Sequence, residues 1–473
     1  MEKTDKFKTK KILRSFGLWI FVAVLAGFSA GAAVSSRNVA QAATSYDDLR
    51  IFAEVLTLIQ NYYVEEKTTK DLAEGAIKGL LKTLDPHSSF MNVEDYTSRK
   101  QETEGKFGGL GIEITVMDSY IGIVAPIEDT PAEKAGLEAG DIILKIEGIT
   151  TKNMYLMDAV KKMRGNVGTP ITLTVFRESS NDTFDVKIVR DIIKIRSAKY
   201  EMIDKEIGYL RILTFSQNTS KETNNGIQKM LDKGMKRLVL DLRNNPGGLL
   251  KQAVDVSDLF LDKGHVIVST KGRTPDQNSM FMSNSWGGHT DFPLVVLVNA
   301  GSASASEIVA GAMKDLKRGV IVGQRTFGKG SVQTIRQLSD GSGLSLTTAR
   351  YFTPADIMIH GVGIEPDISE KLIVKDEDGK DIELPEPLRE KDLIDSFRGE
   401  VDRKHLNNNN NNEKENGEET KEETNKKNKK RMSKKIRDRK KVFNLEEDNQ
   451  LRKAVLVVKK LSGGNVKSIP KVN

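Results

Sequence analysis

Apolar residues recur three and four positions apart from Tyr46 to Leu84. Leu49, Phe52, Val55, Leu56 and Ile59 form one set, and Leu72, Ala76, Leu80 and Leu84 a second. This spacing predicts amphipathic helices in an N-terminal helical region over 46–100, the second helix ended by Asp85-Pro86. Such a pair can pack on the body or on a second copy, so a homo-oligomer through these helices is among the expected partners. The pattern then changes period. Short β-branched runs at 112–116, 121–127, 142–146, 171–176 and 184–189, with Gly and Asp at the joints, predict a β-rich unit over 105–190. Helical stretches at 132–135 and 155–163 interrupt it. From 191 to 375, strands at 207–213, 237–242, 294–298 and 319–322 alternate with helices at 251–260 and 304–316, which predicts an α/β body.

The ends of the chain differ from this middle. Residues 15–36 carry no charge and follow a basic flank over 1–14. As a helix, 22 residues would span about 33 Å, close to a bilayer's hydrocarbon core, and the basic flank would stay cytoplasmic. We therefore expect a single transmembrane anchor with everything after Arg37 outside the cytoplasm. In a two-membrane cell that places the body in the periplasm. Ala40-Gln41-Ala42 resembles a signal-peptidase site, and cleavage there would release a secreted form instead. Near the other end, Asn407–Asn412 and the mixed-charge run after it leave little to bury, so 401–440 is expected to be disordered. An amphipathic helix returns within 441–473, carried by Leu451, Val455, Val458 and Leu461.

Composition narrows the chemistry. The 473 residues contain no cysteine, which removes disulfides, thiolate metal sites and thiol nucleophiles together. The net charge of +7 sits in two places, +4 over 1–14 and +6 over 413–441, so the remainder is −3. A basic total is thus no argument for a nucleic-acid-binding body, and no nucleic-acid partner is expected. No H-E-x-x-H, Walker A or helix-opening dinucleotide fingerprint occurs, so neither metal nor cofactor is expected.

Two segments could carry catalysis. In Val298-Asn299-Ala300-Gly301-Ser302-Ala303-Ser304-Ala305-Ser306-Glu307, a buried strand feeds a small-residue turn that opens a helix. A serine there lies beside unpaired backbone N–H groups suited to an oxyanion, although Ser304-x-x-Glu307 is also a capping box. Spacing alone leaves Ser302, Ser304 and Ser306 open. In Gly323-Gln324-Arg325-Thr326-Phe327-Gly328-Lys329-Gly330-Ser331-Val332-Gln333, glycines flank a lysine just after a strand, where it can be held away from water. Of the five histidines, only His360, before a Gly-Val-Gly turn, rivals it as a base, and nothing in its segment offers triad geometry.

The order of elements over 105–190 resembles a PDZ domain. So do Gly108-Gly109-Leu110-Gly111-Ile112 and Pro131-Ala132-Glu133-Lys134-Ala135-Gly136-Leu137 followed by Gly140-Asp141-Ile142-Ile143. The resemblance implies that Gly109, Leu110, Gly111 and Ile112 bind a peptide's C-terminus. Arg164, just after the helix at 155–163, could pair with a carboxylate of the body. The serine turn, the lysine and Gln333 resemble the C-terminal processing peptidases, the serine–lysine family of tail-specific proteases. Leu84-Asp85-Pro86-His87-Ser88, Asp241-Leu242-Arg243-Asn244-Asn245-Pro246-Gly247-Gly248 and His360-Gly361-Val362-Gly363-Ile364-Glu365-Pro366-Asp367 match as well. The likeness runs from about 46 to 375 and departs beyond it.

That resemblance implies a crotonase-like α/β catalytic domain with an inserted PDZ domain. It implies Ser304 as nucleophile, Lys329 as general base and Gln333 as the lysine's positioning partner. The backbone N–H groups of Ala305 and of Gly247 or Gly248 would form the oxyanion hole. An ordinary lysine is neutral only about once in a thousand at pH 7.4, so burial must lower its pKa for the role. The expected function is an extracytoplasmic serine endopeptidase that recognises the accessible C-terminal tails of proteins and works through an acyl-enzyme. An inert anchored PDZ scaffold and a Ser-His hydrolase using His360 are the rivals.

Overall fold

A computed structural model of the chain describes residues 47, 49–194, 196–284, 287–375, 381–383, 388–395, 443–466 and 468. The apolar run at 15–36, the cleavage-like site at 40–42 and the Asn-rich and charged segment at 401–440 lie outside them. Among the described residues no helix is long and apolar enough to cross a membrane. The chain falls into two compact units, Met1–Leu80 and Leu81–Asn473. In the first, residues 49–62 form a helix, and Gln60 Nε2 donates to Thr69 Oγ1 at 2.8 Å where the next helix, Thr69–Leu81, begins. Leu49, Phe52, Val55 and Ile59 lie exposed along the first helix.

Within the second unit, the β-rich segment forms one antiparallel sheet. Its order is Ile112–Met117, Tyr120–Pro126, Ile142–Ile146, Pro170–Arg177, Asp182–Val189, with Ile149–Thr150 alongside Ile142–Ile146. Ile171, Leu173 and Val175 alternate inward with threonines between them, the period of a sheet with one face buried. The helix Leu156–Met163 closes that face with Ala159 and Met163. Gly108-Gly109 lie in a strand, Lys106–Gly109, which pairs with Asp191–Lys194. The ribbon brings the entry and exit of the sheet domain together, as insertion into another domain requires.

The α/β body is a six-stranded sheet in the order Ala198–Met202, Ile207–Ile212, Arg237–Asp241, Leu294–Val298, Val320–Gly323, Ile368–Ser369. Only the first strand runs antiparallel to its neighbour. Parallel neighbours need crossovers, supplied by the helices Thr219–Leu231, Leu250–Asp258 and Ala305–Asp315. Leu210, Ile212, Leu238, Leu240 and Val296 face these helices. The alternate positions Tyr209, Val239, Val295, Leu297 and Val322 face the C-terminal helix Asn449–Lys460 through Leu451, Ala454, Val455 and Val458. A sheet covered on both faces explains why Leu294–Val298 is unbrokenly apolar.

Charge fixes this helix to the sheet. Arg243 donates through Nη2 to Asp241 and to Asp448, each at 2.7 Å, and through Nη1 to Gln450 Oε1 at 3.1 Å. Tyr209 donates to Asp241 at 2.7 Å. A second, antiparallel sheet holds Ser89–Met91, Gly343–Phe352, Val266–Gly272 and Ser279–Met282, with Ser331–Gln337 also paired to Gly343–Phe352. Its long hairpin did not stand out in the pattern because its outward positions are polar or half-buried.

Replacing the fully buried Leu451 by alanine leaves a cavity under the sheet. The Leu451→Ala protein is expected to lose about 2–5 kcal/mol in equilibrium denaturation. A loss below 1 kcal/mol would mean that the C-terminal helix does not complete the core.

Candidate active site

The strand Leu294–Val298 ends in a turn, and the helix Ala305–Asp315 begins immediately after Ser304. Ser304 has φ 53° and ψ −111°, a conformation that costs an L residue about 1–3 kcal/mol. Neighbours hold the turn there. Ser302 Oγ donates to Leu242 O at 2.8 Å, Ala303 N–H to Asn245 O at 3.0 Å, and Ser306 Oγ to Asn245 O at 2.9 Å. Ser302 and Ser306 are thus fully buried with committed hydroxyls, while Ser304 is partly exposed. Of the three serines that spacing left open, geometry leaves Ser304 accessible.

One carboxylate joins this turn to the lysine loop. Glu307, fully buried, accepts from Ser304 N–H and Lys329 N–H at 2.8 Å each, both on Oε2. Its Oε1 accepts from Thr326 Oγ1 at 2.5 Å and Gly328 N–H at 2.7 Å. Burial pushes the Glu307 carboxyl up to about 7, against these four donors. Phe327 N–H adds a bond to Ser302 O at 3.0 Å. On the far side of the loop, a Cβ at Gly330 would stand 2.2 Å from His360 N, so only glycine fits. Burial holds the Lys329 amine below the ordinary lysine range. The charge of Arg99 adds to this, and the carboxylates of Glu390, Glu307 and Asp85 oppose it.

The glycine pair lies against the serine turn. A Cβ at Gly247 would meet Ala303 O at 2.8 Å and Ala305 N at 3.0 Å. Gly247 N–H is already given to Asn245 Oδ1 at 2.9 Å. The N–H groups of Gly248 and Ala305 donate to no group among the described residues. Two free N–H donors beside a strained serine are the components of an oxyanion site.

Gln333 lies on the strand Ser331–Gln337 at a β-bulge. Its Nε2 donates to Thr347 Oγ1 at 2.8 Å and its Oε1 accepts from Ser345 Oγ at 3.3 Å, rather than either bonding to Lys329. Asp85 caps its own turn, accepting from Ser88 Oγ and the N–H groups of His87 and Ser88, each at 2.8 Å. Burial works to raise this carboxyl, but those bonds hold it below the usual value. His87 Nε2 lies 2.7 and 2.9 Å from the two oxygens of Glu390, a fully buried residue that the sequence pattern gave no reason to select. His360 Nδ1 is buried without a hydrogen-bond partner, 3.7 Å from Glu390 Oε1. Burial, with the charges of Arg350 and His87, holds the His360 imidazole below its usual range, while Glu390 opposes the shift. Among the described residues no group of acidic and histidine side chains could hold a metal ion.

Elsewhere, Phe107, Gly109, Leu110, Gly111, Ile112, Ile114, Val160, Met163 and Arg164 line a groove. The strand Ile112–Met117 is an edge of its sheet, the arrangement in which a peptide can add a strand. Gly111, at φ +79°, has Thr130 2.3 Å from where a Cβ would be, so the turn requires glycine. Arg164 stacks over the Phe107 ring at 4.4 Å, inside the groove.

Three family models match the chain. The model of peptidase family S41 matches residues 206–370, a PDZ domain model matches 122–177, and the model of the activating protease CtpB N-terminal domain matches 17–95. A "Carboxy-terminal-processing protease" of Bartonella bacilliformis is 47% identical over 328 residues, covering 68% of this chain and 75% of that protein. A "Probable CtpA-like serine protease" of Staphylococcus epidermidis is 41% identical, covering 66% of this chain and 63% of its own length. Among solved structures, a photosystem II D1 C-terminal processing protease is 32% identical, covering 68% of this chain and 89% of its own, with a TM-score of 0.42.

An amide at position 307 would turn its NH₂ toward at least one backbone N–H, a donor, in either orientation. Glu307→Gln is therefore expected to lower the thermal midpoint and to slow the labelling of Ser304 by a fluorophosphonate on the order of 10²-fold. Labelling at the wild-type rate would show that the carboxylate does not hold the serine in place.

Proposed function

Because the chain belongs to peptidase family S41, with a PDZ domain preceding the α/β body, we propose that it is a C-terminal processing protease that cleaves by a Ser304–Lys329 mechanism. The observation that carries this reading is the shared anchor. Backbone N–H groups of Ser304 and Lys329 meet on one oxygen of Glu307, which ties the accessible serine to a lysine whose amine is held toward its neutral form.

In this reading the neutral Lys329 amine takes the Ser304 proton as Oγ attacks the scissile carbonyl. The N–H groups of Gly248 and Ala305 receive the developing oxyanion. The ammonium then protonates the leaving amine, and the regenerated amine activates the water that hydrolyses the acyl-enzyme. Gln333, through Thr347 and Ser345, keeps the bulged strand beside the lysine in register. The groove at Gly109–Ile112 holds the C-terminal residues of a protein substrate, whose apolar side chains face Ile112, Ile114 and Val160. Residues 15–36 anchor the protein with its catalytic part outside the cytoplasm, the fold is crotonase-like, and the exposed helix 49–62 pairs with a second copy.

Ser304→Ala, Lys329→Ala and Lys329→Arg are each expected to abolish hydrolysis of an unstructured protein, since arginine keeps the charge but cannot deprotonate. Combining the serine and lysine changes should cost little more, because the two act as one unit. The base works only when neutral and its pKa is lowered, so activity should rise with pH through a midpoint below the ordinary lysine range. A Lys329→Arg enzyme with near-normal turnover would refute the mechanism. If His360→Ala inactivates and Lys329→Ala does not, the Ser-His reading takes its place.

Tail recognition is tested separately. Amidating a substrate's C-terminus should slow its cleavage, and equal rates for free and amidated tails would remove the groove from the mechanism.

A further inference from the structure

Glu390 is a buried carboxylate that neither peptide cleavage nor tail binding has yet used. It opens a short helix at 390–395, beyond the segment that resembles the family, and its side chain is fully buried. Its backbone N–H donates to Phe327 O at 3.0 Å, two residues before Lys329. Its two oxygens receive His87 Nε2, at 2.7 and 2.9 Å, and one of them stands 3.7 Å from His360 Nδ1. A carboxylate taken out of water is stable only where cations or donors face it.

We propose that Glu390 is a positioning residue of the catalytic lysine: the C-terminal segment pins it to the Lys329 loop, where it clasps His87 and serves as counter-charge to the ammonium that forms when Lys329 takes the serine proton.

The inference rests on the Ser304–Lys329 reading and deepens it. The groups around the lysine come from several elements. Asp85 and His87 lie on the turn before Ser89–Met91, Arg99 on the helix Val93–Glu104, Glu307 on the serine helix, His360 on the loop beside Gly330, and Arg350 on the strand Gly343–Phe352. Burial and Arg99 favour the neutral amine, while Glu390, Glu307 and Asp85 favour the ammonium, Glu390 most strongly. Glu307 and Asp85 are already committed, the first to four donors and the second to three. Removing the charge at 390 should therefore have two opposite effects. The amine becomes neutral at lower pH, and the ammonium formed in the transition state loses its counter-charge.

The test is the pH profile of kcat/KM for an unstructured protein substrate, measured on the full chain. Glu390→Gln is expected to move the midpoint of the acid limb to lower pH and to lower the plateau severalfold. His87→Ala, which removes the closest partner of the carboxylate and leaves more of its charge to the lysine, should move the midpoint upward. A Glu390→Gln midpoint equal to that of the wild type overturns the inference. If Glu390→Gln has no cooperative thermal transition, the His87→Ala profile decides alone: an upward shift supports the inference and an unmoved midpoint overturns it. Lys329→Ala separates the two levels of argument. If it keeps wild-type turnover, the Ser–Lys reading itself fails; if it is inactive while the Glu390→Gln midpoint stays put, only the role of Glu390 fails.

Discussion

The active region depends on one buried carboxylate. Glu307 sits in the first turn of a helix, where the dipole and unpaired N–H groups favour negative charge, yet it is fully removed from water. Its two oxygens accept hydrogen bonds from two loops at once. Two of its four donors are the backbone N–H groups of Ser304 and Lys329, so the strained serine and the lysine are set by the same atom. A capping box normally satisfies one helix end. Here the capping carboxylate also holds a loop 19 to 22 residues away in sequence, so the bonds that offset the strain at Ser304 come from the same group.

The next shell is built by a similar device on the opposite side of the sheet. Arg243 bridges Asp241, at the end of a central strand, and Asp448, at the start of the C-terminal helix. Burial works to raise the Asp241 carboxyl, but the charges of Arg243 and Arg211 hold it below its usual range. The chain between Arg243 and Gly248 carries the glycine pair to the serine turn, where no side chain would fit at Gly247. The helix that buries the sheet's second face thus also steadies the segment offering Gly248 N–H. Removing one partner of so buried a pair leaves an uncompensated charge, which costs more than the pair contributes when intact.

What the sequence made legible follows from how the signals arise. Strands in a sheet covered on both faces must be apolar throughout, so Leu294–Val298 stood out and its bounds agree with the structure. The small-residue turn and the glycine-flanked lysine were visible because their backbone geometry admits few residue types. The hairpin of Ser331–Gln337 and Gly343–Phe352 was not, since its half-buried polar positions carry no period. Spacing could not choose among three serines either. That choice lies in hydrogen bonds to Leu242 and Asn245, some 60 residues distant. Glu390 was invisible for the same reason: its partner His87 is 303 residues away, and no local pattern marks the pair.

The groove at Gly109–Ile112 and the helix that carries Arg99 are joined by a short length of chain. The helix Val93–Glu104 carries Arg99, whose charge bears on Lys329, and ends at Gly105 in a left-handed cap, φ 69°, with its N–H on Gln101 O and Glu102 O. The next four residues are the strand Lys106–Gly109, and Leu110-Gly111 follow at once in the groove. Gly105 is buried, and a Cβ there would meet Ser216 Oγ at 2.9 Å, while Gln217 N–H donates to Thr103 O at 3.1 Å. The joint is therefore packed against the start of the helix Thr219–Leu231 rather than free in solvent. Glycine serves here for its positive φ and its lack of a side chain, not for looseness.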